Sequence, residues 1–137
     1  GTWQDLQDRA QTVRTEVFVN EQGIKAEDEW DAADATAVHA VLSNRYGVPL
    51  GTARLLQPEK NVAQIGRMAV TRLMRGSGFG RALVDALMQV AKERGDKEVR
   101  LHAQRSAEGF YKRQGFVVHG EPFDEVGIAH IEMRKLL

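Results

Sequence analysis

A glycine-rich turn between a strand-like segment and a long amphipathic segment constrains how this chain can fold. Residues 62–70, VAQIGRMAV, have the composition of a β-strand, and the turn RGSGFG follows shortly after. Beyond the turn, apolar side chains recur every three or four residues, at Phe79, Leu83, Ala86, Leu87 and Val90. This spacing predicts a helix over about residues 78–94, which Gly95 ends. A strand, a long helix and a further strand predict a crossover between parallel strands.

The remaining segments predict a mixed sheet with helices on its faces. Apolar residues at helical spacing predict an opening helix over roughly residues 3–19. β-Compatible runs predict further strands at residues 36–44, 52–57, 98–104, 116–120 and 127–135, and a short helix is predicted at 106–114. Because the chain contains no internal repeat, low-complexity tract or linker, residues 1–137 are predicted to form a single α/β domain.

Charge and composition exclude several classes of function. The 19 basic and 19 acidic side chains cancel, so no overall field attracts nucleic acid or an anionic membrane. The chain has no cysteine, which excludes disulfides, thiolate metal sites and a cysteine nucleophile. Its four histidines lack the spacing of a metal site, and we expect no metal. No apolar run approaches the roughly 20 residues that span a bilayer and no signal peptide is evident, so we expect a cytoplasmic protein.

The glycine turn has the features of a phosphate-binding loop. The start of a helix leaves about four backbone N–H groups unpaired and carries a partial positive charge, and glycines let a phosphate approach closely. Arg75 and Arg81 flank the turn and add positive charge. The P-loop pattern is not met, because Gly80 is followed by Arg81 rather than lysine, and the dinucleotide-binding pattern fails as well. The alternative is a tight connection whose glycines serve packing alone.

The six residues RGSGFG fit the pattern Arg/Gln-x-x-Gly-x-Gly/Ala. In this pattern the chain resembles the GCN5-related N-acetyltransferase (GNAT) superfamily, whose members bind the pyrophosphate of acetyl-CoA on this loop. IGRMAV resembles the strand before the loop, FYKRQGF the later helix and strand, and GIAHIEM the closing strand. VRTEVFVNEQGI, together with ARLL, LHAQ and IAHIEM, resembles the small bacterial ElaA-like and YjcF-like subgroup more specifically. The likeness covers nearly the whole chain.

The resemblance implies a fold and two sets of cofactor contacts. The fold is a central mixed sheet of about six to seven strands flanked by helices, with the N-terminal edge strand missing or truncated because only Gly1 and Thr2 precede the first helix. The implied pyrophosphate contacts are Arg75, Gly76, Ser77, Gly78, Phe79, Gly80 and Arg81. The implied backbone contacts to pantetheine and the thioester carbonyl are Met68, Ala69 and Val70. We therefore expect acetyl-CoA as co-substrate and, without a cysteine, direct acetyl transfer to an amine.

Tyr111 occupies the position where the family often has a tyrosine that acts as general acid toward the CoA sulfur. A phenol with the ordinary pKa of about 10 stays protonated at neutral pH and can donate to a thiolate late in the reaction. Packing of the short helix on the sheet is the alternative role for Tyr111, and it is the role expected of Phe110.

The general base is left open by the sequence. An alkylamine has a pKa of about 10.4, so a base, a water chain or a lowered amine pKa is needed at neutral pH. Residues that could act as base or bind the acceptor are Glu16, Glu21, His39, His102 and His130. His39 and His102 could equally be hydrogen-bonded on a sheet face, and Glu21 could bind a cationic acceptor. The motif around His130 does not by itself give that residue a role.

The acceptor is expected to be a small-molecule or peptide amine. Five acidic residues follow the first helix, with Trp30 among them: Glu21, Glu27, Asp28, Glu29 and Asp31. They favour either a solvated surface or a cationic acceptor. The alternative to an enzyme is a CoA-binding sensor or scaffold without turnover. The resemblance also implies a homodimer formed through the C-terminal strands.

Overall fold

One mixed sheet of six strands forms the centre of the molecule. The computed structural model describes residues 1–29, 31–76 and 78–137, with the backbone alone for Asp28, so the predictions that concern Trp30 and Ser77 lie outside the described residues. The strands are β1 (Val38–Ser43), β2 (Pro49–Glu59), β3 (Val62–Val70), β4 (Glu98–Gln104), β5 (Val117–Glu125) and β6 (Ile128–Leu136). Their order in the sheet is β1-β2-β3-β4-β6-β5, with β3 and β4 parallel and the other neighbours antiparallel.

Helices cover both faces of this sheet. They are α1 (Trp3–Arg14), α2 (Ala26–Glu29), α3 (Phe79–Glu93) and α4 (Glu108–Arg113). The apolar stripe of α3, including Leu83 and Leu87, packs in the main core with Leu55 of β2. The neighbouring β2 side chain, Arg54, points to the opposite face because side chains alternate along a strand, and α1 lies on that side. The fold is thus the mixed α/β fold predicted from the sequence.

The parallel pair at the centre of the sheet separates partway along its length. Within the described residues, pairing of β3 with β4 runs from Val62–Glu98 to Ile65–Leu101, although both strands continue. Beyond this point β3 carries a bulge opposite β2, where Arg67 adopts a φ of +46°. A bulge bends and twists its strand. The two strand ends therefore diverge and leave a cleft between them.

Several predicted boundaries moved in the structure. The opening helix is α-helical to Arg14 and then continues as a π-helical segment, Thr15–Glu21. Strand β2 passes through Pro58, which falls in a register shift where its missing N–H breaks no ladder hydrogen bond. Strand β5 likewise runs beyond the predicted end at residue 120 because a register shift accommodates Pro122.

Gly1 pairs with the outer edge of β1 through two backbone hydrogen bonds to His39. Gly1 N–H donates to His39 O at 2.6 Å, and His39 N–H donates to Gly1 O at 2.8 Å. Among the described residues the first element is α1, and Gly1 and Thr2 precede it. No helix among the described residues combines the length and apolar composition needed to cross a membrane.

Candidate active site

A cleft of about 1000 Å³ opens where β3 and β4 separate. One end is formed by the glycine turn and the start of α3, and the other by the ends of β4, β5 and β6. The site residues predicted from the sequence that line this cleft are Glu21, Met68, Ala69, Val70, Arg75, Gly76, Gly78, Gly80, Arg81, His102, Tyr111 and His130. The fold thus brings most of the predicted site residues into one cavity.

The glycine turn presents backbone donors to this cleft. Gly76 and Gly78 have φ values of +82° and +81°, the left-handed region that glycine tolerates best. Gly78 is the N-cap of α3 and supplies no side chain to cap it. The first helical hydrogen bond runs from Ala82 N–H to Gly78 O at 3.1 Å. The N–H groups of residues 79–81 therefore precede the hydrogen-bonded ladder and can bind an anion.

Gly80 has a different role from the other two glycines. A Cβ atom at Gly80 would lie 3.2 Å from Met68 Cε and 3.2 Å from Phe110 Cζ. Those contacts are tight, so Gly80 lets α3 pack closely against β3 and α4. Packing therefore explains Gly80, whereas Gly76 and Gly78 have the backbone conformation that the phosphate-binding explanation requires.

Arg75 and Glu21 pair with each other. Arg75 Nη1 and Nη2 donate to the two oxygens of Glu21 at 2.5 and 2.6 Å, and Arg75 Nε donates to Val70 O at 3.1 Å. The hydrogen bonds raise the pKa of Arg75 and lower that of Glu21. The pair ties the π-helical segment to the end of β3. A predicted phosphate contact and a predicted acceptor contact are thus partners, while Arg81 stays largely exposed at the start of α3.

Tyr111 reaches the cleft from α4. Its O–H donates to Met68 Sδ at 3.2 Å, and its ring packs edge-on against Phe110 and Phe116. Burial among these groups raises the pKa of Tyr111 to about 12. The hydroxyl therefore remains protonated at neutral pH and already donates to a sulfur atom. Ala69 packs in a second cluster beneath α1, and Val70 packs against the main core, as expected for wall residues.

Two histidines share one carboxylate at the far end of the cleft. His102 Nδ1 lies 3.4 Å from Glu125 Oε1, and His130 Nε2 lies 3.6 Å from Glu125 Oε2. The other ring nitrogen of His130 donates to Ile128 O at 2.7 Å. The contact with Glu125 raises the pKa of His102, and the contact with His102 lowers the pKa of Glu125. Both histidines line the cleft together with Glu125.

The sequence analysis missed Glu125. It predicted the end of β5 at residue 120, which would leave Glu125 in a loop. The structure extends β5 to a tight turn at Val126 and Gly127, which have φ values of +46° and +78°. The turn places Glu125 opposite Ile128 and next to His130 in the hairpin. The Val-Gly pair before the last strand was the available signal.

His39 lies away from the cleft. Its Nε2 donates to Asp34 O at 2.9 Å and its ring packs on Trp3 at 4.8 Å between ring centres. Burial lowers its pKa. Of the two positions considered for this histidine, the structure shows the hydrogen-bonded one on a sheet face, under α1.

The acidic residues after α1 are largely internal ion-pair partners. Three arginines and three carboxylates form one cluster, here called the charge cluster: Arg14, Arg54, Arg67, Glu29, Asp31 and Asp34. Asp34 is fully buried and accepts hydrogen bonds from Arg14 at 2.9 and 3.0 Å and from Arg54 at 2.9 Å. The interpretation as a solvated surface is therefore wrong for Glu29, which is buried. Of the five acidic residues that suggested a cationic acceptor, Glu29 and Asp31 pair with arginines of the cluster, and Glu21 pairs with Arg75.

Metal binding finds no support in this part of the molecule. Within residues 1–29, 31–76 and 78–137, no three His, Asp or Glu side chains converge in a way that could hold a metal ion. The cluster of His102, His130 and Glu125 can transfer a proton and form hydrogen bonds.

Known proteins share both the sequence and the fold. Residues 5–137 match the family described as acetyltransferase (GNAT) domain. The uncharacterized N-acetyltransferase YjcF of Bacillus subtilis (strain 168) is 34% identical over 124 residues, covering 90% of this chain and 87% of the relative. An acyl-CoA N-acyltransferase from Pseudomonas aeruginosa superimposes with a TM-score of 0.84 at 34% identity, covering 98% of this chain and 92% of that one.

ElaA of Escherichia coli has the same fold. It superimposes with a TM-score of 0.83 at 28% identity, covering 96% of this chain and 90% of that one. A family match over nearly the whole chain, relatives above 30% identity and a cleft with backbone donors at one end agree with one another. The chain therefore belongs to the GNAT acetyltransferase family and is a CoA-dependent acyltransferase.

Proposed function

We propose that this protein transfers an acetyl group from acetyl-CoA directly to an amine, with Tyr111 as the acid. The observation that carries the proposal is the arrangement of one cleft, which has backbone N–H donors at one end, Tyr111 in its wall, and the cluster of His102, His130 and Glu125 at the other end. Acetyl-CoA supplies the activated thioester. Without a cysteine in the chain, an acyl-cysteine route is excluded and direct transfer is the simplest reaction.

The residues at the start of α3 fit the pyrophosphate of acetyl-CoA. The N–H groups of residues 79–81 precede the helical ladder and supply donors, and the described residues of the first turn of α3 include no acidic residue. Arg81 adds a cation there. The diverging edge of β3 would hold the pantetheine arm with the backbone of Met68 to Val70, because its polar groups beyond Ile65 are not paired with β4 in the described residues.

Tyr111 acts chiefly as a hydrogen-bond donor to the departing sulfur. A thiol has an ordinary pKa of about 8.5, so a phenol with a pKa of about 12 holds its proton more tightly by about 3.5 pKa units, or about 5 kcal/mol. Full transfer early in the reaction is therefore unfavourable. Donation strengthens as negative charge grows on the sulfur, and the same burial that raises the pKa of Tyr111 raises the pKa of that sulfur. The proton then moves as the C–S bond breaks.

His102 is the base that this arrangement favours. It is partly exposed to the cleft, and Glu125 orients its ring through Nδ1. Its raised pKa makes it a stronger base than an isolated histidine. In this role Nε2 of His102 takes the proton that the acceptor ammonium must lose before attack. His130, which is more deeply buried, holds the second oxygen of Glu125.

Thiol release from acetyl-CoA in the presence of a panel of amines tests the proposal. We expect release with some amine, and a rise in melting temperature when acetyl-CoA binds the native state. A raised melting temperature with no release against any amine would instead support the CoA-binding sensor. No change in melting temperature at saturating acetyl-CoA would contradict the cofactor assignment.

A further inference from the structure

Arg67 is an arginine of the cleft that the reaction described above does not use. It lies at the bulge of β3, lines the cleft, and its side chain is 28% exposed. Its Nε donates to Glu29 O at 3.0 Å and its Nη2 to Asp31 Oδ2 at 3.2 Å. A guanidinium carries five N–H donors. The hydrogen bonds to described residues occupy two of them, so the group has donors left for a bound molecule.

The backbone at Arg67 is held in a costly conformation. A φ of +46° in a residue other than glycine costs on the order of the strain found at ligand-binding and catalytic positions. The bulge that requires it turns the Arg67 side chain toward the wall formed by Glu29 and Asp31, across the mouth of the cleft. Backbone strain of this kind, in a residue that lines a cleft, indicates a role in binding.

Acidic side chains neutralise the positive charge of Arg67 less fully than the charges of Arg54 and Arg75, which also line the cleft. Asp31 is the carboxylate that pairs with Arg67, and it already receives two hydrogen bonds from Arg54, at 2.6 and 2.9 Å. Burial and then the nearby charge of Arg54 lower the pKa of Arg67, whereas hydrogen-bonded acids raise the pKa of Arg54 and of Arg75. An additional anion would therefore be stabilised at Arg67 more than at Arg54 or Arg75.

Arg67 lines the same cleft as the proposed base, His102. After the larger effect of His102, the charge of Arg67 contributes to lowering the pKa of Glu125. The charge of Arg67 thus reaches the carboxylate that pairs with His102 in the same cavity. An amine bound at the histidine side would have Arg67 near its other end.

We propose that Arg67 binds a carboxylate, or a similarly compact anion, of the acceptor, so that this enzyme acetylates amines that carry an acid, amino acids being the simplest class. This inference rests on the proposed acetyl transfer and specifies its acceptor. It replaces the cationic acceptor suggested by the acidic sequence after α1, in which Glu21, Glu29 and Asp31 pair with arginines of this chain. The same chemistry could be met by a carboxylate on the acyl chain of the co-substrate, and the test separates the two sources.

Matched acceptors test the inference. Thiol release is measured for a set of amino acids and for the carboxamide of each, with wild type, Arg67→Gln, Arg67→Lys and the control Arg9→Gln, an exposed arginine of α1. We expect wild type to prefer the acids by at least about tenfold in kcat/KM, the advantage of a charge-assisted bond. Arg67→Gln should lose this preference, Arg67→Lys should keep part of it, and Arg9→Gln should match wild type.

Two further experiments test binding without turnover and separate a carboxylate on the acceptor from one on the acyl chain. Binding of N-acetyl amino acids and their amides to the CoA-saturated protein is followed by thermal shift, and we expect only the acids to stabilise wild type and neither to stabilise Arg67→Gln. Succinyl-CoA replaces acetyl-CoA in the second arm, and preferential use of it by wild type but not by Arg67→Gln would overturn the inference. Equal use of acids and amides, or no stabilisation by any acid, would overturn it as well. Failure of acetyl-CoA itself to bind would be seen separately and would count against the proposed function.

Discussion

The two ends of the cleft present different kinds of polar group, backbone at one end and side chain at the other. At the end proposed to bind the cofactor, here called the cofactor end, the donors are backbone N–H groups held by a short turn of consecutive residues, with Gly76 and Gly78 setting its geometry. At the end proposed to bind the acceptor, here called the acceptor end, the polar groups are side chains that come from β3, β4, β5 and β6, among them Arg67, His102 and Glu125. A backbone site depends on local conformation, whereas a side-chain site depends on how distant segments pack.

This difference fits the two kinds of recognition that the proposed reaction requires. The pyrophosphate is common to every CoA ester. A turn that recognises only its negative charge and its shape is therefore sufficient to bind it. The acceptor has to be selected from many amines, and selection requires side chains whose hydrogen bonds a wrong molecule leaves unsatisfied. The charge cluster supports the second end, because it holds the segment after α1 against Arg54 and Arg67.

The largest expected effect comes from breaking the charge cluster with Asp34→Asn. The change leaves Arg14 and Arg54 without the buried carboxylate that they share, and we expect a loss of about 3–5 kcal/mol in the free energy of unfolding. Urea denaturation measures it. Glu27→Gln, an exposed neighbour, should change the value by less than about 0.5 kcal/mol. Equal small changes in both variants would show that the acceptor end does not depend on the cluster.

Next in size is Tyr111→Phe, which removes the donor at the junction of the two ends. We expect kcat to fall by about a hundredfold, within the range for loss of an acid catalyst, with the KM for acetyl-CoA nearly unchanged. Steady-state thiol release measures both constants. Tyr46→Phe, the same substitution at an exposed tyrosine, is the control and should retain full activity. An active Tyr111→Phe enzyme would leave packing as the role of this residue.

Gly78→Ala tests the cofactor end with a closely matched control. Gly78 and Gly47 have φ values of +81° and +80°, and a Cβ atom at either position would meet no atom within 4 Å. Both alanine variants should therefore lose about 1–2 kcal/mol of stability from backbone strain. Only Gly78→Ala should weaken binding of acetyl-CoA, by about tenfold in calorimetric titration. Equal affinities in the two variants would mean that the turn does not hold the cofactor.

The pH dependence of Glu125→Gln gives the smallest effect and tests the acceptor end. Glu125 raises the pKa of His102 above its ordinary 6.5, so the rising limb of kcat/KM against pH should move to lower pH in the variant. For stability, the contribution of His102 is fully present below the unfolded pKa and is lost as pH rises through the higher folded pKa. The melting temperature of wild type should fall through this window relative to that of the variant. Glu121→Gln, exposed on the same strand, should show neither change.

The sequence was informative where structure is local. Strands β3 and β4 occupy the predicted residues, and α3 begins after Gly78 and ends before Gly95, because alternation, helical spacing and glycine all act over a few residues. The glycine turn could be identified for the same reason.

Contacts between distant segments could not be predicted. The pairing of Arg75 with Glu21, the burial of Asp34, and the position of Arg67 at a bulge depend on tertiary packing that leaves no periodic pattern. Glu125 depends on a register shift in β5 as well. The acceptor end is therefore the part of the site that required the structure.

Amide NMR of the 15.3 kDa protein during titration with acetyl-CoA tests the difference between the two ends most directly. The N–H resonances of Phe79, Gly80 and Arg81 should show some of the largest shifts, because these groups are the proposed donors to the pyrophosphate. The amides of Glu125 and His130 should move little until an acceptor is added. Large shifts at Glu125 and His130 with none at residues 79–81 would contradict the assignment of the glycine turn as the cofactor site.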